Sequence, residues 1–365
     1  MAEYTLFLLL IISLSIQTIF WIFIFQKLPS THKKSSSFLP PVSIIIAARN
    51  EAKNLNQLLP KLAALDYPSF EIIIVNDRSV DQSSEVLATF QQSIRNLKVI
   101  TISTIANNLS PKKNALTKGI NKASHDWLLF TDADCIPHSS QWIKEMISVI
   151  KEETSIVLGA STYLRENSLL NQFIQFETSL TLIQYASFQQ WGQPYMGVGR
   201  NLMYHKRLFK ESNGFASHQH ILSGDDDLFV SQNATSENCQ INIRPNARTI
   251  SKPKQSWSSY FKQKTRHLTT GKHYRLSTMT LLGLFNLSYI LFFLSTIFMY
   301  FINPFFSICL HLIRILIIGF SFLSFRKRLY LKLNFAMLLV LDVLYFLYIS
   351  TIGFVGSLFK NVRWK

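Results

Sequence analysis

Four short motifs carry residue types able to do chemistry. The sharpest is Asp132-Ala133-Asp134, which ends the apolar run Trp127–Thr131. Two carboxylates one residue apart converge when the chain turns out of an extended conformation. They then offer hard oxygen ligands to Mg2+ or Mn2+, whose remaining positions take water and diphosphate oxygens. An ion held there would neutralise the charge that builds on a leaving nucleoside diphosphate. In isolation such a pair is more often a solvated turn; its place after a buried strand gives it weight. The second motif is Gly224-Asp225-Asp226-Asp227-Leu228. Three adjacent carboxylates repel one another, which argues against a merely structural role away from bulk solvent. Any of Asp225, Asp226 and Asp227, set near an acceptor hydroxyl, would serve as general base. In the third, Val75-Asn76-Asp77-Arg78-Ser79, Asp77 can accept hydrogen bonds from a base or ribose, or cap a helix. The fourth, Ala48-Arg49-Asn50-Glu51, lets Asn50 cap the next helix while Arg49 and Glu51 face the cleft.

These motifs sit where strands should end. Val42–Ala47, Ile72–Asn76, Lys98–Thr101 and Trp127–Thr131 are short apolar runs suited to buried parallel strands. Between them Glu51–Leu65, Ser83–Gln92 and Asn114–Ala123 have helical spacing. Such alternation predicts a doubly wound α/β sheet, whose ligands bind at the carboxyl ends of the strands. A less regular half runs from about Ile156 to Ser256. Within it Phe173, Phe176, Leu180 and Ile183 recur at helical spacing, which predicts core packing in preference to a membrane-facing lid.

Composition points to the bilayer. Of 365 residues, 48% are hydrophobic and only 16% charged, against about 25% in an ordinary soluble domain. The net charge of +16 comes from clusters beside apolar runs (Lys27, Lys33 and Lys34; Lys262 to Lys272; Arg326 to Lys332). Clusters so placed face anionic headgroups and set topology, and with no recognition module in view a nucleic-acid partner is set aside. Three scattered cysteines, Cys135, Cys239 and Cys309, form neither a disulfide framework nor a metal-ligand spacing and suit a reducing compartment. The sequons at Asn108, Asn233 and Asn286 are then chance matches.

Tyr4–Phe25 is long and apolar enough to span, and the lysines after it place the following domain in the cytosol. A Ser-, Lys- and Pro-rich linker covers Pro29–Pro41. After Trp257 a basic, aromatic stretch should lie at the membrane interface. Three further apolar runs follow, Thr280–Ile302, Phe305–Phe325 and Leu333–Ser357. Three full spans would leave the C-terminus outside, whereas Lys360, Arg363 and Lys365 prefer the inside, so a re-entrant run stays open. Arg314 and Asp342 fall at similar depth in the last two runs, and the cost of lone charges there predicts that they pair. The expected domains are an anchor at 1–28, an α/β domain at 40–256, an interfacial segment at 257–279 and transmembrane helices at 280–358.

In this order the motifs resemble the inverting family 2 glycosyltransferases of the GT-A fold, in their integral-membrane branch. Pro41-Val42-Ser43-Ile44-Ile45-Ile46 with Arg49-Asn50-Glu51 is similar to the family's opening strand and nucleotide loop. Asp77 stands at the base-contacting aspartate. Lys112 matches the lysine before the family's Ala-Leu-Asn-x-Gly helix, where Thr117 departs from Asn. Asp132 and Asp134 match the metal motif, and Gly197-Val198-Gly199 with Gly214-Phe215 resembles a Gly-rich acceptor region. Asp225-Asp226 replaces the usual Glu-Asp, which implies Asp226 as base. Gln263, Arg266 and His267 match Gln-x-x-Arg-Trp, with His for Trp, a motif that contacts diphosphate and acceptor.

The resemblance implies a mixed GT-A sheet and a nucleotide-sugar donor, bound by Arg49, Glu51, Asp77, Lys112 and Asp132, with UDP favoured. It implies a divalent cofactor, Mg2+ or Mn2+, and one in-line displacement. Position at the membrane implies a lipid, lipid-linked or envelope-glycan acceptor, at a bacterial plasma membrane, with room for an oligomer. A polysaccharide synthase subunit and a non-catalytic nucleotide-binding membrane protein are the alternatives.

Overall fold

The computed structural model describes residues 2–30, 38–104, 110–329 and 334–358. Lys33, Lys34, Asn108, Lys332, Leu333 and the terminal Lys360, Arg363 and Lys365 lie outside them, so the linker and the C-terminal sidedness expected above are only partly covered. The chain forms two compact units. An α/β unit comprises Pro29–Leu164 and Gly192–Pro253, and a helical unit comprises Met1–Leu28, Arg165–Trp191 and Lys254–Lys360.

Among the described residues the α/β unit holds ten strands: β1 (Val42–Ala48), β2 (Phe70–Asp77), β3 (Leu97–Ile102), β4 (Trp127–Phe130), β5 (Cys135–Pro137), β6 (Ile156–Gly159), β7 (Ser161–Tyr163), β8 (Leu202–His205), β9 (Cys239–Asn242) and β10 (Thr249–Ser251). Seven form a mixed sheet in the order β3-β2-β1-β4-β8-β6-β9, and β5, β10 and β7 form a second, small sheet. In the large sheet β8 alone runs against its neighbours β4 and β6. The first four strands are parallel and lie where the apolar runs predicted.

Why the sheet is covered on both faces follows from the side-chain period of two. Ile44, Ile46, Ile72 and Ile74 pack in one core with Leu55, Leu58, Leu59 and Leu62 of the helix Ala52–Ala63 and Leu87 of the helix Ser83–Ser93. The alternate residues Ile45, Ile73 and Val75 face Gly119 of the helix Pro111–Lys122, where an added Cβ would fall 2.7 Å from the Ile45 side chain. That glycine lets helix and sheet approach closely. A runs-of-isoleucine strand is thus buried on both sides, as parallel sheets require.

Asn201 ties the antiparallel strand into this frame. It is fully buried, donates to the carbonyls of Ala160 (2.6 Å) and Ala247 (2.8 Å), and accepts from the Trp142 indole N–H at 3.0 Å. Gly159 lies opposite, where a Cβ would strike the Asn201 amide at 2.3 Å.

The helical unit contains Ala2–Ile19, continued by a wider turn over Phe20–Ile24, with Leu169–Gln190, Trp257–Leu268, Leu276–Ile302, Pro304–Arg328 and Leu338–Leu358. Among the described residues, Glu3–Ile24, Leu276–Ile302 and Pro304–Arg328 are long and apolar enough to cross a membrane. The third expected C-terminal run forms the helix Leu338–Leu358, apolar over Leu338–Ile352. Asn303-Pro304 makes the hairpin between the two C-terminal spans: the Asn303 side chain accepts from the Phe306 N–H, and proline suits a first helical position. The helix Leu169–Gln190 does pack a core, but that of the helical unit. Phe173 meets Trp257, Tyr260 and Tyr348, and Phe176 meets Phe322 and Tyr345.

The expected ion pair is present. Arg314 and Asp342, both fully buried, bond directly, Arg314 Nε donates to Gln17 Oε1 at 2.6 Å, and the Tyr289 hydroxyl donates to Asp342. Gln17 also donates to the Ser288 carbonyl at 3.0 Å, so the network joins four apolar helices. The guanidinium lies 4.3 Å over the Tyr289 ring.

Two outcomes follow. Asn201→Ala strands the Trp142 donor and two buried carbonyls and should lower stability by roughly 2–4 kcal/mol in thermal or denaturant unfolding. Asp342→Ala should cost about 3–5 kcal/mol in detergent, and much less once Arg314 is Met, because breaking a buried pair hurts more than removing it.

Candidate functional site

The sheet topology brings the motifs to one edge. β1 and β4 pair in parallel with Ile45 beside Phe130, and β1 and β2 with Ala48 beside Asn76. The segments that follow these strands, Arg49–Glu51, Asp77–Ser79 and Asp132–Asp134, therefore emerge side by side. β8 is antiparallel, so its beginning lies at this same edge. Phe130 pairs with Leu202, and Thr131 Oγ1 donates to the Arg200 carbonyl at 3.0 Å, which holds Arg200 next to the start of the metal motif.

Asp132-Ala133-Asp134 is the connector by which the chain leaves β4 of the large sheet and enters β5 of the small one. The Cys135 N–H closes the turn on the Asp132 carbonyl at 3.0 Å. The turn brings the two carboxylates together with the Cys135 thiol, all ligand atoms lying within 4.8 Å of one another. Cys135 is buried, and burial beside Asp134 and Asp132 pushes its pKa well up. It stays a thiol, donating to Asp134 Oδ1 (3.3 Å) and sharing a 2.9 Å contact with Ser251 Oγ. The two carboxylates offer the hard oxygen ligands that Mg2+ or Mn2+ takes.

The acidic run of the second motif does not point one way. Asp226 caps the helix Asp227–Asn233, its Oδ1 accepting from the Asp227 N–H at 2.8 Å and its Oδ2 from the Gly199 N–H at 2.6 Å. Asp227 Oδ1 accepts from Leu228 N–H at 2.8 Å. Asp225 turns to Lys112, whose Nζ lies 2.9 Å from Asp225 Oδ2 and 3.1 Å from Asp132 Oδ1. One ammonium thus joins the metal motif to the acidic loop, and these carboxylates hold its pKa well above the usual lysine value against the cost of burial. Asp226, desolvated and beside Asp225 and Asp227, is pushed up to about 7, although Lys112 and the Gly199 N–H oppose the shift.

The loops after β1 and β2 are laced together. Asn50 N–H donates to Ser79 Oγ (2.9 Å), Asn50 Oδ1 accepts from Val80 N–H (2.8 Å), and Ser83 Oγ accepts from Glu51 N–H (3.0 Å). Asn50 does not cap the following helix as expected. It adopts φ +56°, and its amide is spent on the neighbouring loop. Glu51 accepts from Asn54 at 2.5 Å. Asp77, fully buried, is clasped by Arg78 through two bonds of 2.8 and 2.9 Å, which leaves the helix-cap alternative without support. Gln263, Arg266 and His267 lie on the helix Trp257–Leu268 of the helical unit, which is fixed to Glu177 by Tyr260 (3.1 Å) and Lys264 (2.5 Å).

Sequence reasoning missed several residues here. Lys113 donates to the carbonyls of His218 (2.6 Å) and Ile221 (3.0 Å), bracing the loop that leads to Asp225. Arg200 follows the noted Gly197-Val198-Gly199, and its placement depends on an antiparallel pairing that no local pattern announces. Cys135 adjoins the metal motif and was dismissed for lack of ligand spacing.

Comparison with known proteins agrees with this geometry. Residues 43–212 match Glycosyl transferase family 2. Over 117 residues the chain is 32% identical to glycosyltransferase AglE of Haloferax volcanii, covering 32% of this chain and 37% of that one. Over 246 residues it is 27% identical to the probable glycosyltransferase YdaM of Bacillus subtilis, covering 62% and 54% respectively. The chain thus spans about a third to a half of the length of these relatives. Among solved structures, the mannosyltransferase PcManGT of Pyrobaculum calidifontis, in complex with GDP-Man and Mn2+, has TM-score 0.59 at 13% identity and covers 98% of this chain and 96% of that one. The α/β unit has the GT-A fold, and within it residues 43–212 are similar to Glycosyl transferase family 2.

Proposed function

We propose that the protein is an inverting glycosyltransferase that passes a sugar from a nucleoside diphosphate sugar to an acceptor hydroxyl at a membrane face. The observation that carries this reading is Lys112 bridging Asp132 and Asp225, with Asp226 next to them. Donor-side and acceptor-side carboxylates are thereby gathered at the carboxyl edge of one sheet, where α/β folds bind ligands. The family match and the GDP-Man held by a protein of similar fold support the donor class. UDP is the favoured carrier, although a relative in fold holds GDP-Man.

In this mechanism the acceptor hydroxyl approaches the anomeric carbon opposite the diphosphate, and Asp226 takes its proton. A base with pKa near 7 is matched to that task at neutral pH. Lys112 supplies positive charge where the diphosphate departs, and Arg49, Glu51 and Asp77 hold the nucleotide. Asp132 and Asp134 would hold a divalent ion, Mg2+ or Mn2+, whose chemistry is Lewis-acid stabilisation of the leaving group. One displacement inverts the anomeric configuration. Gln263, Arg266 and His267 keep the diphosphate and acceptor role that the resemblance gives them, on the sequence pattern alone. The three long apolar helices support membrane insertion. From this we infer a cytosolic catalytic face at a bacterial plasma membrane and a lipid, lipid-linked or glycan acceptor.

Three measurements test this reading. Calorimetry with UDP and GDP should show binding of one that strengthens with Mn2+, and Asp132→Ala/Asp134→Ala should abolish the metal dependence. Asp226→Asn should retain nucleotide binding and lose transfer by about 100-fold or more; near-normal turnover would move the base elsewhere. Because Asp226 must be deprotonated to accept, wild-type kcat/KM should rise with pH through about 7, the value to which burial and its acidic neighbours push it. A flat profile from pH 5.5 to 8.5 would contradict the assignment.

A further inference from the structure

We propose that Arg200 is a second cation for the donor's diphosphate, alongside Lys112. This rests on the nucleotide-sugar reading above and adds a residue which that reading lacks.

The backbone places Arg200 with unusual firmness for a residue outside a strand. Its carbonyl accepts from Thr131 Oγ1 at 3.0 Å and from Thr249 Oγ1 at 2.9 Å, so both the end of β4 and the start of β10 hold it. Thr131 is the residue immediately before Asp132. Gly199, just before it, binds Asp226, and Asn201, just after it, is sealed in the core. The side chain therefore leaves from a fixed point beside the metal motif.

The guanidinium lies 4.5 Å over the Tyr163 ring, and Nη1 makes one long bond of 3.4 Å to Ser251 Oγ. The guanidinium also hydrogen bonds to Tyr163, so Tyr163 at the end of β7 and Ser251 at the end of β10 hold it from two strands of the small sheet. Ser251 and Tyr163 engage only part of a fork with five donors. A planar fork with donors to spare suits bidentate recognition of phosphate oxygens.

The charges point the same way. Asp132 is in direct contact with Lys112 at 3.1 Å, and its charge also reaches Arg200. A divalent ion on Asp132 and Asp134 would repel both cations. Such an arrangement becomes favourable when an anion arrives to share all three, and a diphosphate is that anion. Arg200 thus rests on Tyr163 and Ser251 near the metal motif in the ligand-free protein and is a donor-binding group in the complex.

The test uses full-length protein in detergent with Arg200→Met, which keeps an apolar stem against Tyr163, and Arg200→Lys, which keeps the charge. Binding is measured for UDP or GDP, whichever the wild type takes, for the matching nucleoside, and for Mn2+ alone by paramagnetic resonance. In Arg200→Met, nucleoside diphosphate should bind roughly 10- to 100-fold more weakly, the loss of a charged hydrogen-bonding group. The nucleoside should bind as in wild type, Mn2+ alone at least as tightly, and Arg200→Lys should recover part of the loss. Unchanged diphosphate affinity would overturn the proposal. So would a parallel loss of diphosphate and nucleoside, or weaker Mn2+ binding, since either marks a structural role. A wild-type protein that binds neither nucleotide would sink the donor reading first, and this assignment with it.

Discussion

Like charges crowded into a desolvated cleft cost energy unless something of opposite sign lies among them. The α/β unit crowds Asp132, Asp225, Asp226 and Asp227 in this way, and Lys112 is the ammonium that makes the arrangement tolerable. Its two carboxylate partners come from different parts of the chain, one closing β4 and the other opening a short helix. The contact therefore does two things together. It closes the acidic loop against the sheet edge, and it leaves Asp226 outside the pair, compensated by N–H donors and not by a direct ion contact. Three adjacent aspartates with one sequence context acquire three different environments.

Elements remote from the chemistry serve that arrangement. Gly119 allows the helix Pro111–Lys122 to lie close on β1 and β2, so Lys112, near its first turn, reaches the strand ends. Lys113, one residue on, faces the carbonyls of the loop that delivers Asp225. Burial draws its pKa down to about 8, yet its hydrogen bonds are to neutral carbonyls and need only its N–H groups. Adjacent lysines on one helix thus divide the work between charge and scaffold.

How much of this could be read from the chain depends on the range of each interaction. β1 to β4, the helices between them and the ends where Asp77 and Asp132 sit are written in local apolar runs and helical spacing. The Arg314–Asp342 pair was legible because lone charges in apolar runs are expensive wherever they occur. Other features were not local. β5, β7 and β10 are three residues each, too short to show alternation, and β8 reads like any apolar run although it is reversed. The contact of the Arg200 carbonyl with Thr131, at the end of β4, follows from that reversal. Asn50 looked like a helix cap because its type suits one; the left-handed turn that diverts it depends on the partner loop after β2. The helix Leu169–Gln190 announced its apolar face but not which unit would bury it.

Gly199, Arg200 and Asn201 are consecutive, and each is committed to a different partner: an N–H on Asp226, a guanidinium over Tyr163, an amide in the core. Deleting or inserting one residue just before β8 would move all three together, because strand pairing fixes everything after Asn201. Substitution can sample this tripeptide one function at a time, whereas changes in length cannot. The approach to β8 is thus a loop in which a change of length disturbs three contacts together and a change of side chain only one.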